Sequence, residues 1–260
     1  STDRVLRDEA SERGRTEAAR AALDGGRMSD LRPAAELAEK GSRPFPNENA
    51  EYRAARTRLL AEEIELRRQI QRVAALRRDL PDGSEAADYL FLDAEGKERR
   101  FADLFGRHDT LVTYFWMYGP ERERPCSMCT SFVGSLDIPA RDIEQRVALA
   151  IIGRSPVSRQ LEFARERGWN NLKFYQTVGD DFARDYRGLH DDGSEWAICA
   201  SWKRKDDKVR LFWAAEGDFE TADPGFDPHL APDPTPLWNI LDWTPGGRGT
   251  DWYPKLEYNT

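Results

Sequence analysis

The chain has 260 residues, enough for one well-buried domain with appended elements, and its 39% hydrophobic and 33% charged content describes a strongly solvated protein. A formal net charge of -8 argues against general affinity for nucleic acid, which needs clustered excess Lys and Arg, and no apolar run approaches membrane-spanning length. Three cysteines are too few for a disulfide scaffold and read as a catalytic or metal-binding set in a reducing compartment, so a cytoplasmic setting is expected.

Residues 1–24 are rich in Ala, Arg and Glu with few large apolar positions, and Gly25-Gly26 interrupts them; a weak helix or partly ordered tail is expected. A short helical piece over 33–40 leads to the linker Gly41-Ser42-Arg43-Pro44-Phe45-Pro46. We take 1–46 as an N-terminal segment, 47–83 as a long helix, and 84–260 as the main domain with an aromatic-rich C-terminal extension. Asn47 or Asn49 caps the long helix, Arg77 and Arg78 sit at its negative end, and Pro81 with Gly83 stops it. Tyr52, Leu59, Leu66, Val73 and Leu80 recur every seven residues, joined by Ile70 and Leu76. Glu62 and Gln69 break the alternate seam, so packing on the helix's own domain and packing on a second subunit both remain open; a homodimer is expected.

From Ser84 onward strands and helices alternate. Tyr89–Leu92 and Lys97–Phe101 read as a hairpin, Ala102–Phe105 as a helical turn, and 111–117 as a buried strand. A helix to about Arg146 follows, then a strand at Val147–Ile152, a helix at 156–167, a strand at Leu172–Tyr175, and a second hairpin over Trp196–Trp202 and Val209–Ala214. A Pro-rich loop at 223–236 precedes the ending. The pattern predicts an α/β sandwich with a mixed central sheet.

The chemistry concentrates between the 111–117 strand and the helix after it, in Cys126-Ser127-Met128-Cys129. Residues three apart on a first helical turn share a face, so one thiolate can attack a disulfide while the other resolves the product. Unpaired N–H groups at a helix start favour a thiolate at the leading position, Cys126, and Arg122 and Arg124 act the same way if they point inward. The bland alternative is a pair of structural thiols. Tyr118, Arg124 and Trp196 are the residues expected nearest a substrate, which would be a small-molecule or protein thiol or disulfide. Cys199 reads first as a small buried hydrophobe; with His190 it could instead complete a copper or zinc site on Cys126 and Cys129. Of the three histidines, His108, His190 and His229, His190 is the one expected to approach the sulfurs, because it lies shortly before the strand that carries Cys199. The redox reading requires no cofactor beyond the disulfide. Trp238, Trp243, Trp252, Tyr253 and Tyr258 are expected to cover the domain or a partner, and Gly246-Gly247-Arg248-Gly249 to form a turn.

The runs Tyr114–Pro120, Cys126–Phe132, Phe163-Ala164-Arg165-Glu166-Arg167-Gly168-Trp169 and Leu237–Pro245 with Gly249–Trp252 resemble the bacterial thioredoxin-like domain-of-unknown-function family eight-nine-nine. That family is described as predicted dithiol-disulfide oxidoreductases related to the alkyl hydroperoxide reductase and thiol-specific antioxidant group. The resemblance covers about 45–260 and implies a thioredoxin-like sandwich preceded by a long helix, with Cys126 and Cys129 as the redox pair. Two departures stand out. No proline lies between Pro156 and Pro224, so the cis-proline of thioredoxins is replaced near Glu195-Trp196-Ala197-Ile198, which would open the sulfurs to a soft cation. Counting back from Cys129, a peroxidase's hydroxyl position holds Cys126 and its proline position Arg122, which disfavours a dedicated peroxidase.

Overall fold

A computed structural model describes residues 31–216, 221–225, 230, 232–244, 249 and 251–258. The expected helix over 1–24, His229, part of the Pro-rich loop and most of the 246–249 turn lie outside them. The chain forms two compact units, residues 1–74 and 75–260, with one long helix running through the boundary.

In the first unit, α1 (Ala34–Gly41) packs on the long α2 (Ala50–Arg78). Ala34, Ala38 and Ile64 are buried together, with Leu37, Leu60 and Ala61 around them. The alanines let the two helices approach closely. Arg68 fixes the pairing by donating Nη2 to the Arg32 carbonyl at 2.7 Å and Nη1 to Glu65 at 2.7 Å. Asn49 caps α2 as the sequence suggests, its Oδ1 accepting from the Tyr52 N–H at 2.7 Å.

The second unit is built on one mixed sheet of seven strands, in the order β2-β1-β5-β4-β3-β6-β7. The hairpin β1 (Leu90–Leu92) and β2 (Glu98–Arg100) ends one edge, followed by a 3-10 turn at Phe101–Phe105. The centre comprises β3 (Thr110–Phe115), β4 (Ala148–Gly153) and β5 (Phe174–Thr177), mutually parallel, and the hairpin β6 (Ile198–Lys205) and β7 (Lys208–Ala214) closes the other edge antiparallel to β3. Connecting helices are α3 (Ser127–Asp137), α4 (Ala140–Ile143), α5 (Val157–Glu166), α6 (Asp181–Asp185) and, after β7, α7 (Pro236–Asp242). The fold is an α/β sandwich with a mixed central sheet, as the alternation of strands and helices predicts.

Strand alternation divides the core into two layers. Leu111, Phe115, Ala150, Ile152, Ala200 and Trp202 face one layer, built on Phe91, Phe101 and Phe182. Its rings meet mostly edge-on, as in Phe101 against Trp202 at 4.8 Å, and the Trp202 indole donates to Thr113 Oγ1 at 2.9 Å. Tyr114, Trp116 and Ile151 face the opposite layer, which contains the cysteines. The helix expected to reach Arg146 is two helices, broken at Ile138-Pro139, because a proline ring cannot continue the first one's hydrogen-bond ladder. The strand expected at 172–175 is displaced to 174–177, since only there do residues pair with both β4 and β1.

Candidate active site

The site forms where β3 runs out. The chain turns at Trp116, whose buried indole donates to Gln160 Oε1 at 3.1 Å, and then follows a loop to α3. That loop is held at several points. Cys126 N–H donates to the Met117 carbonyl at 3.1 Å, and Arg159 from α5 donates to the carbonyls of Pro120 at 3.3 Å, Arg122 at 2.7 Å and Glu123 at 3.1 Å. The Arg159 guanidinium also lies over the Tyr118 ring, 5.1 Å from its centroid.

Cys126 is the residue immediately before α3, and its carbonyl accepts from the Thr130 N–H at 2.9 Å. All three cysteines are free thiols, with Cys126 half-buried and Cys129 buried one turn on. The Cys129 thiol, the backbone N–H groups of Cys129 and Met128, and the charge of Arg122 together outweigh burial and bring Cys126 from an ordinary 9.0 down to about 6. Cys129 moves the opposite way, held well above the thiol range first by Cys126 beside it and then by burial. The environment thus favours ionisation of Cys126 ahead of Cys129.

The residues expected beside the pair divide. Tyr118 is 4% exposed and packs on Trp116 and Phe163, so it is a core ring and not a rim contact. Arg124 turns outward to Glu166, donating from Nη1 at 2.7 Å with a second contact from Nη2, and lies over Phe163; Arg122 is the cation that acts on Cys126. Trp196 packs against the other core layer. Cys199 does face the cysteine layer, as the cross-strand partner of Tyr114, and burial alone pushes its thiol up to about 12. His190 is exposed. Among the described residues no three His, Cys, Asp or Glu side chains converge to hold a metal ion, so the four-ligand set Cys126, Cys129, Cys199 and His190 is not assembled.

Two residues that the sequence did not single out belong to the site. Tyr114 is buried on β3 with its hydroxyl against the Cys129 sulfur, a contact that favours the Cys129 thiolate. Glu195 is a buried carboxylate just before β6, at the segment where the proline is missing. It accepts from the Gly119 N–H at 3.0 Å, Arg122 Nε at 2.8 Å and Arg154 Nη1 at 3.3 Å. Arg154 in turn donates to Asp180 at 2.9 Å. The C-terminal extension reaches this side too: Leu256 packs into the cysteine layer, its carbonyl accepting from Arg167 at 3.0 Å, while Trp238 meets Trp252 and Tyr253 edge-on and Trp243 stands exposed.

The family model described as a bacterial protein of unknown function, DUF899, matches residues 42–259, and the chain belongs to that family. No curated protein matches. Among solved structures, peroxidoxin BcpB from Mycobacterium tuberculosis is 18% identical, with 52% of this chain and 85% of that one covered and a TM-score of 0.40. A peroxiredoxin-like protein from Aquifex aeolicus is 13% identical over 52% and 75%, with a TM-score of 0.39. An exposed lipoprotein thioredoxin from Streptococcus pneumoniae is 15% identical over 51% and 91%, with a TM-score of 0.37. Likeness at this level transfers no residue's role. No helix among the described residues is long and apolar enough to cross a membrane.

Proposed function

We propose that this DUF899 protein is a dithiol-disulfide oxidoreductase in which Cys126 is the attacking thiolate and Cys129 the resolving thiol. The observation that carries the reading is the opposed ionisation of the two sulfurs at the start of α3, Cys126 lowered to about 6 and Cys129 raised. An attacking thiol works best with its pKa near ambient pH, where it is ionised yet still nucleophilic.

The Cys126 thiolate attacks one sulfur of a substrate disulfide, forming a mixed disulfide and releasing the other half as a thiolate. That step removes the anion beside Cys129. The largest influence holding the Cys129 proton disappears with it, while the Tyr114 hydroxyl still favours the thiolate. Cys129 then gives up its proton to water or to the departing thiolate and attacks the Cys126 sulfur. The Cys126–Cys129 disulfide forms, the second substrate half leaves as a thiolate that takes its proton from water, and two electrons have passed from the pair to the substrate. A thiol reductant returns them, which fits a reducing cytoplasmic setting. The redox pair needs no metal or organic cofactor.

Trapping tests this directly. Incubated with a low-molecular-weight disulfide such as oxidised glutathione, Cys129→Ser should accumulate one adduct, mapped to Cys126, whereas Cys126→Ser should accumulate far less. The parent should end with a Cys126–Cys129 disulfide and no adduct. Unchanged thiols in the parent, or an adduct on Cys129 as the first product, would overturn the reading.

A further inference from the structure

Helix α2 has two apolar faces, and among the described residues of the first unit only one is used. Ile64, Leu60 and Ala61 pack toward α1. On the other side Leu59 is 52% exposed, Leu66 60% and Leu76 67%, with Tyr52, Ile70 and Leu80 also solvent-facing. Aliphatic side chains at seven-residue spacing on a surface helix form the seam of a coiled coil, and leaving them in water forgoes their burial.

We propose that this stripe is the contact surface for a second copy of the chain, the two α2 helices lying antiparallel. Tyr52, Leu59, Leu66 and Val73 take one set of seam positions, with Leu80 two residues past the end of α2, and Ala55, Glu62, Gln69 and Leu76 take the other. Antiparallel packing sets members of one set against members of the other. Placing Leu59 of one copy on Leu76 of its mate puts Leu66 opposite Gln69 and Val73 opposite Glu62.

The charges beside the seam select this arrangement. In that register Glu65 comes opposite Arg72 and Arg58 opposite Asp79, and the twofold axis repeats both pairs. Sliding one copy by a heptad one way opposes Arg58 to Arg72 and Glu65 to itself; sliding it the other way opposes Glu65 to Asp79 and Arg72 to itself. A parallel pair would satisfy Arg58 with Glu63 but would set Arg72 beside Arg77 and bring Glu62 against its own copy inside the seam, which the antiparallel arrangement avoids. The like-charge contact that the chosen register does make, Arg56 near Arg77, is softened because Arg56 already pairs with Glu63 at 3.0 Å and Arg77 lies over the Trp213 ring at 4.8 Å. Glu65 accepts from Arg68 with one oxygen and stays exposed, so its other oxygen is free to meet Arg72 as well.

Light scattering and sedimentation of the full chain at micromolar to 100 micromolar concentration test the proposal. The parent should be a dimer. Leu66→Lys, on an exposed position, should keep its helical circular dichroism and raise the dimer Kd on the order of a hundredfold, since two copies of the seam residue are lost per dimer. Glu65→Arg should weaken association by roughly tenfold, and adding Arg72→Glu to it should restore the parent affinity. A monomeric parent at the highest concentration would overturn the proposal. So would a parent that dimerises only after residues 1–30 are removed, which would assign the stripe to that segment. Failure of the double reversal to restore affinity would remove the antiparallel register.

Discussion

The Glu195 carboxylate accepts from Arg122 Nε at 2.8 Å, joining a residue before β6 to the loop that carries Cys126. The same oxygen receives the Gly119 N–H, and the other faces Arg154. Glu195 thereby holds the arginine whose charge favours the Cys126 thiolate.

Glu195→Gln keeps the side chain's shape and removes its charge, leaving Arg154 and Arg122 without a shared anion. Breaking a buried pair from one side costs about 3–5 kcal/mol, and because Arg122 is partly exposed we expect a loss of about 2–3 kcal/mol in chemical denaturation. With the neighbouring anion gone, the Arg122 charge is less neutralised, so the apparent pKa for Cys126 alkylation should fall in the same variant.

The pH dependence follows from the two thiols. Cys126 should alkylate with a midpoint near 6, Cys129 only far above it. For stability, a folded thiol lowered to about 6 binds fewer protons than the unfolded one, so the reduced protein gains stability as pH rises from about 6 toward 9.0 and loses that gain as pH falls through 6. Cys129 and Cys199 act oppositely, costing stability above 9.0, where their unfolded counterparts ionise first. Subtracting the denaturation profile of Cys126→Ser from that of the parent should leave a difference that grows between pH 6 and 9 and is flat below about 5.

Tyr114→Phe removes the hydroxyl against Cys129 and little else. Stability should change by no more than about 1–2 kcal/mol, because the ring stays packed on Phe132 at 4.7 Å. Resolution should slow by roughly tenfold, in line with the loss of one hydrogen bond to the ionising group. Stopped-flow release of the second substrate thiol measures it, and an unchanged rate would mean that the hydroxyl has no part in resolution.

Gly153→Ala tests how tightly the end of β4 is packed. A Cβ there would lie 2.6 Å from Trp116 Nε1 and 3.0 Å from Gln160 Oε1, and both groups are hydrogen-bonded in place. Overpacking of this kind costs about 1–3 kcal/mol, readable as a lower urea midpoint with an unchanged slope.

The strand, loop and helix around Cys126 were legible because an apolar run followed by two cysteines three apart marks both an element boundary and a chemistry. The heptad stripe was legible as a pattern. Which face α1 covers was not, because the first unit uses Ile64 with small alanines, off the seven-residue rhythm. Short α6 carries too few residues for a helical period to emerge, and the Pro-rich stretch before α7 reads as a loop although Pro236 opens a helix. Glu195 was invisible for a different reason: its partners lie 73 and 41 residues away, and sequence alone does not bring a carboxylate to them. Tyr114 had a weak signal, its place near the end of β3, the strand that runs into the cysteine loop.

Arg159 grips the loop before Cys126 by three carbonyls and by no side chain of residues 120–124. Carbonyls are common to every residue type, so this fastening does not depend on which amino acids occupy those positions. Outside Arg122, the loop's outer surface is consequently open to diversification by exchange of side chains at Glu121 and Glu123, with the path of the backbone into α3 retained. A library built on those two positions would vary what approaches the sulfur while leaving the sulfur where it is.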